Sequence, residues 1–448
     1  IINEEMKVAA AEAIAKLALK LGADQCTVSV SQSVSTELTQ REQKLEKTKQ
    51  ANSLGVGLEL LVDDKYSSHS ASDIRLESLR PFLQRAIELT SFLEEDSNRR
   101  LGALSEMGSA TMNLDLFDNS WKARTAAERK EQLVSLEAQC HETAKDSNVR
   151  SISSHVWDSQ VQSHVYALDG SSPNEQFSTG WKRTSFGMGA EITLVGEDSR
   201  LPEAYDFRSA RHLSDLPSML EISKTLLKKG NSRLVSSAIP SARLPLLIEN
   251  LVVSKIIQAI LTPISGTAIY EKRSCLLGKL GQQIGASNLN IFDNPHIHRG
   301  LASRPYDGDG FPTQKRSIIE NGKLSTYLIN LYNSRRLKTE RTTGSTTNII
   351  IPPSETSPQE LLNALPKAIV VEGFLGGNTN PITGDFSLGI TGRYFENGEF
   401  VQGVSEMNIS GNLLELLERF ETSANDVWKF SSTIVPSLLF SDIQCSGL

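Results

Sequence analysis

The sequence predicts an α+β protein with more than one domain. At 448 residues the chain is longer than a single hydrophobic core usually serves. Helical periodicity and strand-like alternation succeed each other in the first half, whereas strands and turns dominate after Asn290. The glycine-rich segment 372–412 has apolar residues at every second position and a hairpin signal at Asn397-Gly398, a combination typical of a closed or strongly bent antiparallel sheet.

A first lobe, residues 1–95, is predicted to contain a helix, a curved antiparallel sheet and a second helix. Apolar residues fall on one helical face over positions 6–21, and charged residues interrupt the run, so an amphipathic helix fits better than a signal peptide. Alternation from Cys26 to Ser70, with a turn at Asp63-Asp64, predicts strands. Leucines in helical register predict a helix from Arg75 to Leu93.

A polar, irregular stretch at 96–122 is predicted to link this lobe to a second one, residues 123–228. Thr125 and Glu128 form a capping-box pattern that should begin a helix. Strand-like segments follow at 149–159, 161–168 and 186–195, and another helix is predicted over 217–229. The two lobes together form a predicted N-terminal α/β domain, residues 1–228.

The remainder, residues 229–448, is predicted to be a β-rich C-terminal domain. An apolar run predicts a helix from Pro245 to Leu261, ended by Pro263. The strands after it are punctuated by turns at Asn321-Gly322 and Asn397-Gly398.

Composition excludes several classes of function. The net charge of −7 and a pI near 5.7 argue against general nucleic-acid binding, which depends on lysine and arginine. No segment has the run of apolar residues that a membrane span requires, so no membrane association is expected. The scattered cysteines, at positions 26, 140, 275 and 445, give neither a disulfide framework nor a zinc knuckle, and a reducing cytoplasm is the expected compartment.

Four long motifs in the second half resemble the TldD/PmbA family, also called modulators of DNA gyrase. They are GTAIYEKRSCLLGKLGQQI (266–284), SRPYDGDGFPTQKRSIIENGKLSTYLINLYNSRRL (303–337), GGNTNPITGDFSLGITGRYFENGE (376–399) and VSEMNISGNL (404–413). The likeness is closest to the TldE (PmbA) branch. It implies an N-terminal α/β portion followed by a C-terminal domain of antiparallel sheets around a central helix.

The resemblance also implies that this chain lacks a zinc site. The catalytic TldD branch carries HExxxH on the helix after the interdomain linker, and the matching positions here hold Ile248, Glu249 and Val253. Zinc requires nitrogen, sulfur or oxygen ligands, which two hydrocarbon side chains cannot supply. The family's cysteine ligand near the C-terminus has no counterpart in KFSSTIVPSLL, and Cys445 comes too late. We therefore expect no cofactor and no catalytic residue in this chain.

The resemblance implies that zinc resides in a TldD-like catalytic partner, and that the pair encloses a channel admitting unfolded peptide. Family members are associated with maturing a gyrase-targeting microcin and with degrading an antitoxin. The expected role of this chain is that of a non-catalytic subunit, inactive alone, with a homodimer as a further possibility. The polar residues Asn380 and Asp385, with Gly389, are candidates for lining the peptide channel, against the simpler interpretation of an Asx-type turn.

Two alternatives stay open at this point. One is a stand-alone metal-dependent peptidase built on His296 and His298, with Asp293, Asp307 and Asp309 in range. Independently of that loop, Glu249 could act as a general acid or base, although a solvent-facing or ion-paired carboxylate is the more frequent outcome. The other is a regulatory module that binds gyrase directly, for which the acidic composition gives little support.

Overall fold

The N-terminal half forms one six-stranded antiparallel sheet with four helices. The computed structural model describes residues 3–196 and 200–447. The strand order is β3-β2-β1-β4-β5-β6. The elements of this half, in chain order, are α1 (Glu4–Lys20), β1 (Gln25–Arg41), β2 (Lys44–Val62), β3 (Lys65–Ala71), α2 (Leu76–Thr90), α3 (Ala126–Thr143), β4 (Val149–Asp169), β5 (Gln176–Leu194), β6 (Glu203–Ala210) and α4 (Met219–Ser232).

The two predicted lobes share this sheet, because β1 pairs with β4 along its whole length, from Gln25↔Asp169 to Arg41↔Ser153. Each lobe contributes three strands. The even-numbered β1 residues Val28 and Val30 pack under α1 and α2, and Leu38 packs under α3 and α4. Since alternate residues of a strand face the same side, all four helices lie on one face of the sheet.

Several local predictions in this half are confirmed. The capping box forms at the start of α3: the Glu128 backbone N–H donates to Thr125 Oγ1, and the Thr125 N–H donates to Glu128 Oε2. The segments predicted as two strands over 149–168 are one continuous strand, β4. The stretch 96–122 contains only short 3₁₀ turns, and it reaches the C-terminal half through backbone hydrogen bonds such as Gly108 N–H to the Gly310 carbonyl.

The C-terminal half is built mainly from strands, in sheets of seven and five. The strand orders are β16-β18-β8-β13-β14-β15-β7 and β11-β10-β9-β12-β17. Its elements are β7 (Ser236–Ser237), β8 (Ala242–Ile248), α5 (Ser254–Leu261), α6 (Gly266–Tyr270), β9 (Ile291–Asn294), β10 (Arg316–Glu320), β11 (Lys323–Leu324), α7 (Leu331–Leu337), β12 (Asn348–Ile350), α8 (Pro358–Asn363), β13 (Lys367–Thr379), β14 (Asp385–Glu396), β15 (Glu399–Asn412), α9 (Leu413–Glu418), β16 (Phe420–Ser423), β17 (Thr433–Ile434) and β18 (Leu438–Ser446).

The larger sheet closes on itself, as the glycine-rich segment predicted. Strand β18 pairs with β8 and also with β15, through Ile409↔Cys445 and its neighbours. Strands β18, β8, β13, β14 and β15 therefore form a ring. Most pairs are antiparallel, but β8–β13, β7–β15 and β12–β17 are parallel. Both Asn-Gly turns adopt positive φ at each residue, 49° and 80° at Asn397-Gly398, as a type I′ hairpin requires.

The predicted helix over Pro245–Leu261 is wrong in its first half. Residues up to Ile248 belong to β8, and α5 begins only at Ser254. Strand β8 lies between β18 and β13, and Leu246, Leu247 and Ile248 are all at most 1% exposed. A continuous apolar run is what a strand covered on both faces requires, and periodicity alone does not separate it from a buried helix. The helix does end before Pro263, and it packs into the same core as the ring.

Candidate functional site

The positions that match HExxxH lie at the junction between β8 and α5. Ile248 is the last residue of β8, and Val253 closes the turn that precedes α5. Both side chains are 0% exposed and belong to the main core of the C-terminal half. These two positions therefore do not fit a zinc ion: the side chains have no donor atom, and they contact other hydrocarbon groups.

Glu249, between these positions, forms an ion pair rather than facing solvent. Arg393 Nη2 lies 3.3 Å from Glu249 Oε1, and Arg393 Nε donates to Glu372 Oε1 at 2.6 Å. Glu249 directly follows β8, Glu372 is on β13 and Arg393 is on β14. The parallel register of β8 and β13 pairs Ile248 with Val371, and each of these two residues is followed by a glutamate. The register therefore brings Glu249 and Glu372 side by side.

The two glutamates have more acceptor atoms than Arg393 satisfies. Within the described chain, Glu249 Oε2 and Glu372 Oε2 are buried and have no hydrogen-bond partner. Burial raises the pKa of Glu249, the charge of Glu372 raises it further, and the Arg393 guanidinium opposes the rise. The Glu372 side chain is only 4% exposed. This group can hold a proton or a cationic ligand, because both relieve the excess negative charge.

A cavity of about 610 Å³ adjoins this acidic pair. Glu372 itself lines it, together with residues from the β5–β6 connection and β6, from the end of α4 and β7, from the turn before α5 and α5 itself, and from β13, β14 and β15. Its apolar walls are Leu201, Pro202, Tyr205, Leu251, Val252, Phe374, Leu375 and Val404, and its basic residues are Arg200, Arg233 and Lys255. Cavities of this size and mixed lining are typical of sites for small ligands.

Asn250 and the C-terminal loop hold the turn after Glu249 in place. The Asn250 N–H donates to Ser437 Oγ at 3.1 Å, and its side-chain amide donates to Asp426. Cys445 is far from this turn, because it pairs with Ala242, six positions before Ile248 on β8. Six strand residues span about 20 Å. Cys445 is therefore at the opposite end of β8 from the motif position.

His296 and His298 do not converge on a common point. His296 Nε2 lies 3.0 Å from Thr313 Oγ1, whereas the exposed His298 has its Nε2 3.6 Å from Asp115 Oδ2. Asp293 is occupied by Arg316 and Thr347. Over residues 3–196 and 200–447, no group of three or more His, Cys, Asp or Glu side chains is arranged to hold a metal.

Asn380 and Asp385 form local turn structure. Asn380 Oδ1 accepts from the Ile382 N–H at 3.0 Å, which is an Asx turn, and Asp385 Oδ1 accepts from Asn412 Nδ2 at 3.0 Å. Hydrogen bonds from Thr383 and Asn412 lower the pKa of Asp385. Neither residue lines the cavity at Glu372.

Gly389, by contrast, supports the cavity wall. It faces Leu375 across β13–β14, and a Cβ at this position would lie 2.3 Å from the Leu375 carbonyl oxygen. A side chain there would therefore push against the strand whose far edge borders the cavity. Whether Asn380, Asp385 and Gly389 contact a peptide stays a prediction.

Sequence reasoning missed Glu372, Arg393 and Arg233. Glu372 and Arg393 are separated from Glu249 by more than a hundred residues, and only the strand register brings them together. The available signal was weak: a charged residue at 393 within a segment of alternating apolar residues, on a strand predicted to be buried on one face.

Comparison with known proteins supports the relationship indicated by the motifs. Two family models match: the PmbA/TldA metallopeptidase C-terminal domain over residues 241–447 and domain 1 of the same metallopeptidases over residues 26–90. Among curated relatives, a protein named metalloprotease PmbA homolog from Haemophilus influenzae is 27% identical, covering 99% of this chain and 97% of the relative. Metalloprotease PmbA from Escherichia coli O157:H7 is 24% identical over 95% of this chain and 92% of its own.

Solved structures give the same result. A protein from Bacteroides thetaiotaomicron described as a modulator of DNA gyrase superposes with a TM-score of 0.93 and 29% identity, over 100% of both chains. TldE from Thermococcus kodakarensis superposes with a TM-score of 0.84, covering 98% of this chain and 100% of its own, and at 19% identity it shows the shared fold. From the matched domains, the full-length relatives and the common fold, the chain belongs to the TldD/PmbA family.

Proposed function

We propose that this chain is the zinc-less, non-catalytic subunit of a TldD/TldE-type metalloprotease, and that its partner is a TldD-like subunit carrying HExxxH and zinc. The observation that carries the proposal is the burial of Ile248 and Val253 in the core, with Glu249 held by Arg393. No activated water can form at a site without metal ligands, so the chain depends on another subunit for hydrolysis. The curated relatives, which are named metalloproteases, support a role in proteolysis.

The contribution of this chain is architectural: it completes a peptide channel and selects extended chains. A free strand edge supports this role, because extended peptides bind such edges through main-chain hydrogen bonds. Beyond Val371, where pairing with β8 ends, β13 is paired only with β14 within the described residues. The expected substrates are unfolded peptides or small proteins, in peptide maturation or antitoxin turnover.

No specific observation favours either of the two alternative functions, a stand-alone peptidase or a gyrase-binding module. The two histidines of a stand-alone peptidase contact different groups, Thr313 and Asp115. For a gyrase-binding module, the structural neighbour from Bacteroides thetaiotaomicron is described as a modulator of DNA gyrase, which names no binding contact. In the part of the chain that the structure describes, no helix combines the length and apolar character needed to cross a bilayer. We propose a cytoplasmic location, which the free state of Cys26, Cys140, Cys275 and Cys445 supports.

The test is co-expression with a subunit that carries HExxxH. The chain alone should contain no zinc and cleave no peptide, while the mixture should elute as one complex and cleave an unstructured peptide. The matched control is a partner whose motif glutamate is replaced by glutamine, which should form the complex without cleaving. The elution volume of the chain alone also reports whether it forms a homodimer.

Stoichiometric zinc and peptidase activity in the chain alone would overturn the proposal. His296→Ala with His298→Ala then identifies the alternative site, because loss of metal in that variant places it in the loop. Gyrase binding without any HExxxH subunit, combined with failure to form a complex, would favour the regulatory module instead.

A further inference from the structure

The cavity beside Glu372 is bordered by an open strand edge. Strand β13 pairs with β8 at three positions, Ile369 to Val371, and from there to Thr379 its β8-side edge meets no other strand in the described residues. Leu375, on this free part, is 62% exposed. An exposed edge with unpaired N–H and C=O groups is a template for an added extended strand.

The free edge lies at one wall of the cavity, since Gly373, Phe374 and Leu375 all line it. Tyr205 and Val404 supply apolar surface from the N-terminal sheet and from β15. An extended chain paired with β13 would thus place alternate side chains against apolar surface. The cavity, of about 610 Å³, is roughly 8–9 Å across if taken as a cube, which two or three extended residues span at about 3.3 Å each.

Charged residues of both signs line the cavity, and we call Glu372 its acidic pole and Arg233 with Lys255 its basic pole. At the acidic pole, Glu372 Oε2 is buried without a partner among the described residues, as is Oε2 of Glu249, which does not itself line the cavity. At the basic pole, Arg233 donates through Nη1 to the Glu203 carbonyl, whereas its Nε–H is buried without a partner among the described residues. Lys255 lines the same cavity. Buried polar atoms without hydrogen-bond partners are costly. The binding of a ligand that satisfies both poles is therefore favoured.

We propose that this cavity binds a short extended peptide of two or three residues with both termini free. Its ammonium group contacts Glu372, its carboxylate contacts Arg233 and Lys255, and its backbone pairs with the free edge of β13. The proposal deepens the proposed function and rests on it for the choice of peptide as ligand. It places in this subunit a site for product-sized peptides, separate from any zinc.

The charges favour free termini over a basic side chain within a longer peptide. A lysine side chain could satisfy Glu372, but the segment carrying it would offer no carboxylate to Arg233. A peptide with two free termini satisfies both poles at once. Sites that present buried polar groups reject ligands lacking the matching group, because the protein group is then left unpaired.

The first experiment changes the ligand and leaves the protein intact. Binding of the tripeptide Ala-Leu-Ala to the isolated chain is measured by calorimetry, beside its N-acetylated and C-amidated forms. The unmodified peptide should bind, and either modification should weaken binding about tenfold or more. Equal affinity for all three peptides, or no binding at roughly millimolar peptide, would overturn the proposal.

Two variants assign the poles. Glu372→Gln should lose the discrimination against the acetylated peptide while keeping that against the amidated one, and Arg233→Gln should do the reverse. Glu399→Gln and Arg80→Gln, at exposed positions outside the cavity, are the matched controls and should behave as wild type. Parallel loss of both selectivities in either pole variant would contradict the assignment.

The outcome is distinguishable from failure of the proposed function. Peptide binding is measured on this chain alone, whereas the subunit role is measured by complex formation and cleavage with an HExxxH subunit. A chain that forms the active complex but binds all three peptides equally refutes the cavity proposal only. A chain that discriminates the termini but forms no complex refutes the subunit role and leaves a peptide-binding protein.

Discussion

Ile248 and Val371 are paired in parallel register, and each is followed by a glutamate. This register places Glu249, just after the end of β8, beside Glu372 in the middle of β13, where Arg393 of β14 contacts both. The position that matches the metal motif of the catalytic branch of the family thus lies beside a carboxylate pair that shares one guanidinium. The arrangement makes Arg393 the residue on which the acidic pair depends.

Arg393→Met should destabilise the protein by about 3–5 kcal/mol, because it removes the one guanidinium that contacts both largely buried carboxylates. The Arg393 side chain is 14% exposed, so water compensates little. Urea unfolding at neutral pH measures the loss. The control is Arg243→Met: Arg243 pairs with Asp442, both side chains are about half exposed, and such surface pairs are worth at most about 1 kcal/mol. Similar losses of unfolding free energy in the two variants would show that the ion pairs of Arg393 contribute no more to stability than an exposed ion pair does.

Much of the N-terminal half could be predicted from local patterns. Alternation at β1 and the capping box at Thr125 each act within a few residues, so the sequence contains the whole signal. The merging of two lobes into one sheet could not be predicted, because the pairing of β1 with β4 joins residues more than a hundred positions apart. The apolar run ending at Ile248 was wrongly predicted to be a helix, because burial on both faces removes the alternation that marks a strand.

From the sequence, the candidate site could be predicted only to lack zinc ligands. The family resemblance identified positions 248 and 253, and the hydrocarbon side chains there lack the donor atoms that zinc requires. What occupies the site instead depends on register: Glu372 is adjacent to Glu249 because β13 lies parallel to β8, and a shift by one residue would turn it to the other face. Neither the pattern nor the composition specifies that register.

The pH dependence of stability should report the raised pKa of Glu249. A carboxyl whose pKa is higher in the folded state binds its proton more tightly there, so its contribution falls as pH rises from the unfolded value of about 4.3 through the folded pKa. Glu249→Gln removes this pH-dependent contribution to stability. The stability of wild type relative to the variant should therefore decrease as the pH rises above the unfolded pKa of about 4.3.

The comparison is made by unfolding wild type and Glu249→Gln at a series of pH values. Asp385→Asn is the control of opposite sign, because hydrogen bonds lower the pKa of Asp385 and its contribution is lost as pH falls. If the curves for wild type and Glu249→Gln run parallel over the whole range, the carboxyl of Glu249 titrates normally and the acidic pair is not strained by its burial.

Restoring the motif should not restore a zinc site. The double variant Ile248→His, Val253→His places two imidazoles where the side chains are fully buried among hydrocarbon groups, and we expect a loss of about 2–5 kcal/mol. Cys445 is at the other end of β8, so it is not available as a third ligand. Metal analysis should find no stoichiometric zinc.

Ile248→Val serves as the control for this variant, since removal of one methylene from a core costs about 0.5–1.5 kcal/mol. A double variant that is as stable as Ile248→Val and carries one zinc per chain would contradict the burial argument. It would show that the turn between β8 and α5 can rearrange to bring ligands together.

Gly389→Ala should weaken both stability and peptide binding. The added Cβ would meet the Leu375 carbonyl oxygen, a backbone atom that cannot move without shifting β13, and overpacking of this kind costs about 1–3 kcal/mol. Gly308→Ala is the matched control, because a Cβ there has no atom within 4 Å and the change should stay within about 0.5 kcal/mol. Thermal unfolding measures the first effect and calorimetry with Ala-Leu-Ala the second. Since Leu375 lies on the free edge of β13, a loss of stability with unchanged peptide affinity would show that this edge does not take part in binding.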